Sequence, residues 1–131
     1  MLDTTLLQPQ IAELARKHRL SFVALFGSQA VGNVHSKSDI DIAVISKDPI
    51  DKFKVIDDFE NIFKREDIEV VDLANASPTL MYCVVRDGKL LYENEKDSFF
   101  KWKLYAIWVW MDTAWLRQLR DKKLLEWAKT V

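Results

Sequence analysis

Apolar residues along the chain switch repeatedly between helical and strand spacing, and the switches mark out its elements. In "QPQIAELARKHR", residues 8–19, Ile11, Leu14 and Ala15 recur at i, i+3, i+4, and Pro9 suits a first turn, which predicts a helix. "SFVALFG" then reads as a short buried strand ending at Gly27. Residues 29–38 are polar, with Gly32 and Asn33 as turn signals, and "DIDIAVIS" follows as a second strand with its carboxylates at the entry end. Asp48-Pro49 predicts a turn and N-cap, and Ile50, Phe53, Ile56, Phe59 and Phe63 carry a helix to about Lys64. "IEVVDLA", 68–74, is a third strand. Ser77-Pro78 opens a helix through Val85 that Asp87-Gly88 closes, and "KLLYE" is a fourth strand. From Lys96 onward the chain reads as helical, with a break near Asp121.

This alternation predicts an α/β (α+β) fold, a small mixed sheet flanked by helices, with a core over residues 1–95 and a helical extension over 96–131 in the same domain. If the second strand runs antiparallel to both neighbours, Gly27-Ser28, Asp39, Asp41 and Asp72 all meet at one sheet edge. In the extension, Phe99, Trp102, Ala106, Val109, Thr113 and Leu116 form one stripe. Leu104, Trp108, Met111 and Trp115 populate another side, so the helix is either clasped by its own domain and a following helix or leaves an aromatic surface for a partner, the reading that its Trp and Tyr content favours.

Composition narrows the class. At 131 residues, 49% hydrophobic and 30% charged, the chain is an ordinary globular domain. Its formal charge of −1 gives no whole-chain attraction to nucleic acid, so no direct nucleic-acid binding is expected. A single cysteine, Cys83, excludes an internal disulfide, and its apolar neighbours predict a packed, inert thiol. The first ten residues lack a signal-peptide pattern, and the apolar stretch from Leu104 to Trp115 falls well short of the ~20 residues a membrane span needs. Cytoplasmic residence and no membrane association are the expectation. His18, after the first helix, reads as a surface or dipole-capping residue, and His35 as a loop residue.

The chemistry concentrates around "GSQAVGNVHSKSDIDIAV". Asp39 and Asp41, two apart on a strand, point to one face, and two carboxylates so close repel unless a cation sits between them. Mg²⁺ takes oxygen ligands from one or two carboxylates plus substrate phosphates, and Asp72 would complete a two-metal arrangement for in-line phosphoryl displacement. Gly27 allows close backbone approach, and Ser28 with the following amides can hold phosphate oxygens.

The Gly-Ser-x10-Asp-x-Asp pattern resembles the signature of the polymerase-β-like nucleotidyltransferase superfamily. The third acid in "EVVDL", the "GKLLYE" strand and the small size resemble its minimal nucleotidyltransferase family. That resemblance implies a nucleotidyltransferase fold and Mg²⁺-dependent transfer of AMP from ATP to a hydroxyl, with release of pyrophosphate. It implies that Gly27, Ser28 and Ser38 bind the nucleotide, that Asp39, Asp41 and Asp72 hold two Mg²⁺ ions, and that Asp72 also favours deprotonation of the acceptor. It further implies a hetero-oligomer with a HEPN-domain ribonuclease toxin, whose tyrosine is adenylylated, making the chain the antitoxin of a type VII toxin–antitoxin pair. A small-molecule acceptor such as an aminoglycoside, or a non-catalytic antitoxin acting by contact, are the alternatives. The chain departs from the family's Gly-Ser-x-Ala-Arg-Gly by placing Val31 at the arginine position, with Lys37 and His35 the nearby candidates to replace that cation.

Overall fold

Residues 4–27 and 39–130 are described by the computed structural model. Ser28, Val31, His35, Lys37 and Ser38 lie outside these residues. Four strands, β1 (Leu20–Phe26), β2 (Ile40–Ser46), β3 (Ile68–Asp72) and β4 (Lys89–Glu93), form one sheet in the order β3-β2-β1-β4. β1 is antiparallel to β2 and to β4, whereas β2 and β3 are parallel. The expectation that β2 opposes both neighbours is therefore corrected on the β3 side. A parallel neighbour needs a crossover connection, and the helix between β2 and β3 supplies one.

Each face of the sheet is covered by a helix pair. α1 (Gln8–Lys17) and α2 (Lys52–Phe63) bury Ile11, Leu14, Val55 and Phe59 against Val23, Leu25, Ile42, Val44 and Val70. α3 (Pro78–Asp87) and α4 (Ser98–Asp112) pack Met81, Val84, Phe99, Trp102 and Ala106 against Phe22, Ala24, Phe26 and Ala43. Strand residues alternate between these two cores with period two, so even positions of β2 face α1 and α2 and Ala43 faces α3 and α4. Burying each large apolar side chain contributes about 1.5–3 kcal/mol.

Local chemistry explains most boundaries. Ser77 accepts a hydrogen bond from Leu80 N at 3.2 Å and so caps α3, with Pro78 in its first turn. α2 is capped by Asp51, which accepts from Lys54 N at 3.3 Å, and not by the expected Asp48. The inward stripe is Val55, Phe59 and Phe63, and Phe53 is exposed. His18 is not a surface residue: its ring is largely buried, with Nε2 2.6 Å from Asp58 Oδ2, tying α1 to α2.

The extension is helical as expected, but it breaks at Thr113 rather than Asp121, between α4 and α5 (Ala114–Thr130). The Trp110 carbonyl at the break accepts from Arg117 Nη2 at 2.6 Å, while Arg117 Nη1 donates to Thr113 Oγ1 at 2.7 Å. The same guanidinium lies 3.3 Å from the centre of the Trp110 ring, whose other neighbour is the stacked ring of Tyr82. The first half of α4 belongs to the core; no residue of α5 is buried. No helix among the described residues is long and apolar enough to cross a membrane.

Candidate active site

The C-terminal end of β1 and the N-terminal ends of β2 and β3 share one sheet edge, because β1 opposes β2 while β3 runs alongside it. Phe26 pairs with Asp41, and Asp41 pairs with Glu69. Gly27 follows Phe26 with φ +73°, a left-handed conformation that glycine adopts without strain. A Cβ built on Gly27 would fall on Asp41 Oδ2, so any side chain here would push the Asp41 carboxylate aside. The Gly27 and Asp41 of the sequence motif are thus in direct apposition.

Glu69 is the acid that the sequence reading missed. It is exposed, and it lies beside Asp41 as that residue's register partner. Burial, then Glu69, then the charge of Asp39 raise the Asp41 carboxyl from 3.8 to about 6. Carboxylates set side by side repel, and a cation between them would relieve that repulsion.

Asp72 does not join them. Its register partner is Val44, three residues along the parallel pair from Asp41, or about 10 Å at the usual strand rise. By alternation it also lies on the other sheet face, that of Val44 and Val70. Its carboxylate instead accepts from Ala74 N at 3.0 Å and Asn75 Nδ2 at 3.3 Å, capping the 3-10 turn Leu73–Asn75. The sequence signal that would have selected Glu69 is the parity of "IEVVD" combined with a parallel register.

Asp39 is exposed just before β2, and its charge reaches both Asp41 and Arg65. Arg65 grips Asp67 through Nε to Oδ1 at 2.8 Å and Nη2 to Oδ2. The Asp67 carbonyl accepts from Ile40 N at 2.9 Å, which ties this loop to the acidic edge. Among the described residues, no three His, Cys, Asp or Glu side chains are grouped closely enough to enclose a metal ion by themselves. The donor set suits a hard divalent ion that draws one or two ligands from protein carboxylates and the rest from substrate phosphates and water.

The sequence profile of the polymerase beta nucleotidyltransferase family matches residues 9–97, the stretch that carries all of this edge. The chain belongs to that family. This nucleotidyltransferase is 35% identical over 96 residues to the protein adenylyltransferase MntA of Aphanizomenon flos-aquae, covering 64% of each chain. It is 34% identical over 91 residues to the MntA of Shewanella oneidensis, covering 68% of this chain and 63% of that one. The nucleotidyltransferase thus spans just under two thirds of the length of these curated relatives. Among solved structures it resembles a toxin–antitoxin crystal structure with AMP-PNP, at TM-score 0.76 and 28% identity over 90% of this chain and 98% of that chain. It also resembles a chain from the complex of tri-AMPylated Shewanella oneidensis HEPN toxin with MNT antitoxin, at TM-score 0.71 and 26% identity, covering 94% and 99%.

Proposed function

We propose that this nucleotidyltransferase moves AMP from ATP to a tyrosine hydroxyl of a HEPN ribonuclease toxin and thereby acts as its antitoxin. The observation that carries the reading is the Asp41–Glu69 pair set against Gly27, with Asp39 beside it. The relatives support the choice of reaction and partner: two are named protein adenylyltransferase, and the solved neighbours are toxin–antitoxin complexes.

In this reading Asp41 and Glu69, with Asp39 beside them, would supply one or two carboxylate ligands to Mg²⁺, the substrate phosphates and water the rest, and Glu69 takes the place expected of Asp72. The bound ion supplies charge neutralisation at the triphosphate and lowers the pKa of an acceptor hydroxyl. Gly27 lets the backbone approach the nucleotide, with Ser28 and Ser38 as further phosphate partners. The tyrosine oxygen forms a bond to the α-phosphorus as the bond to pyrophosphate breaks, and the phenolic proton passes to the carboxylate pair. Arg65, positioned by Asp67, supplies a cation near this edge in a chain that has Val31 where the family has arginine. Residues 1–95 form the catalytic core, 96–131 its helical extension, and the protein works in the cytoplasm.

Labelled ATP with the purified chain and Mg²⁺ tests the acceptor. Label is expected on the purified toxin and lost with Asp39→Ala plus Asp41→Ala. Label on an aminoglycoside and never on the toxin would overturn the antitoxin reading.

A further inference from the structure

The helical extension ends in a surface that its own domain leaves uncovered. Trp108, Met111, Trp115 and Trp127 are each more than 60% exposed, and Leu104, Tyr105, Leu119, Leu124 and Leu125 are exposed with them. Patches of this kind mark interaction sites. No residue of α5 is buried, so packing against the domain beyond the Arg117 clamp does little to hold it, and a seventeen-residue helix by itself is marginal in water. Its helical state therefore calls for something that covers it.

Three kinds of cover are possible, and the residues favour one. A membrane surface needs one apolar and one polar face. At ~100° per residue, Trp115, Leu116, Leu119, Leu124, Leu125 and Trp127 occupy well over half the circumference of α5, with basic residues between them. Nucleic acid would use the tryptophans and the basic charge but leave the leucines wet. A protein groove accommodates both, since interfaces favour Trp, Tyr, Met and Arg around an apolar centre. Charge then selects the kind of protein. α5 carries Arg117, Arg120, Lys122, Lys123 and Lys129 against Asp121 and Glu126, while the whole chain is −1. Two copies laid tail to tail would set like charges together.

Taking the antitoxin reading for the partner's identity, we propose that α5 and the outer face of α4 form the toxin-docking surface, entering an apolar groove on the toxin rimmed by carboxylates. The Arg117 clamp at Thr113 fixes the direction in which α5 leaves the domain. Catalysis and docking are then separate: the acidic edge performs the transfer, and the extension holds the protein that receives it.

The test mixes the purified chain with the purified HEPN toxin and reads affinity by calorimetry and complex mass by light scattering. Leu119→Glu with Trp127→Glu should weaken binding at least about 30-fold, as expected for interface anchors. Arg120→Glu with Lys123→Glu should weaken it about tenfold and flatten its salt dependence. Leu6→Glu, an exposed apolar residue at the other end of the chain, should leave binding unchanged. All these positions are exposed, so circular dichroism should match the wild type. Tail variants that bind as tightly as wild type overturn the proposal. So does a self-associated wild-type chain that the same substitutions make monomeric, or tail-dependent binding to anionic vesicles or RNA without binding to the toxin. AMP transfer is scored separately by toxin mass. Tail-dependent binding without transfer sinks the enzymatic reading alone, and transfer with tail-independent binding sinks the docking surface alone.

Discussion

Asp41 lies directly opposite Glu69 in the parallel β2–β3 pair, and burial, then the neighbouring Glu69 carboxyl, raise Asp41 to about 6. Nothing in the packing of the core requires this pair. Its repulsion is set at the sheet edge that also carries Gly27, and the proposed function rests on this arrangement.

The first consequence concerns pH. Asp41 titrates near 3.8 when unfolded and near 6 when folded, so its favourable contribution is complete below 3.8 and lost as pH rises through 6. Asp41→Asn removes the repulsion and is expected to raise the melting midpoint at pH 7.5 but hardly at pH 4. Mg²⁺ or Mn²⁺ is expected to stabilise the wild type at pH 7.5, much less at pH 5, and the Asn variant at neither. Thermal scans with and without the cation read all of these.

Gly27 is expected to tolerate no side chain. Gly27→Ala places a methyl group on the Asp41 carboxylate and costs about 1–2 kcal/mol for the left-handed backbone alone. Denaturant unfolding reads the stability loss, and the cation-induced stabilisation should vanish with it.

The contrast between the two acids of β3 is sharper. Glu69→Gln is expected to lower AMP transfer by about 100-fold or more, the scale of a lost acid–base or ligand group. Asp72→Asn weakens only the cap of the Leu73–Asn75 turn and should change the rate by no more than about twofold. Steady-state rates with labelled ATP distinguish them, and equal losses would return Asp72 to the site.

The acidic edge shows what the sequence makes legible. Gly27, Asp39 and Asp41 are readable because one turn and one strand bring them together, and local alternation sets their faces. Ser77-Pro78 is equally readable, since a cap is made within four residues. Whether Glu69 or Asp72 comes to lie beside Asp41 is not legible, because five residues of strand do not encode which way their neighbour runs. Only the packing of α2 as a crossover fixes β3 parallel, puts Glu69 beside Asp41 and sends Asp72 to the opposite end and face. Asp48 and Asp51 are both competent caps, and the choice between them follows from which stripe of α2 meets the sheet. The break at Thr113 depends on Arg117 reaching back seven residues, which periodicity does not report.

His18 and Asp58 give a second pH effect of opposite sign. The hydrogen bond from His18, with Lys17 3.0 Å away, holds Asp58 below its usual 3.8. Its stabilisation is present above that value and lost as pH falls through the lowered one. Asp58→Ala is expected to cost about 1 kcal/mol at pH 7, and the deficit should shrink as pH falls below 3.8, as followed by urea unfolding.

The most direct measurement is the intact mass of the purified toxin after incubation with ATP, Mg²⁺ and this chain, wild type or Glu69→Gln. The account predicts addition of one or more AMP groups to the toxin by the wild type and none, or a trace, by Glu69→Gln. A toxin neutralised by the wild type with its mass unchanged, or modified equally by both proteins, would contradict it.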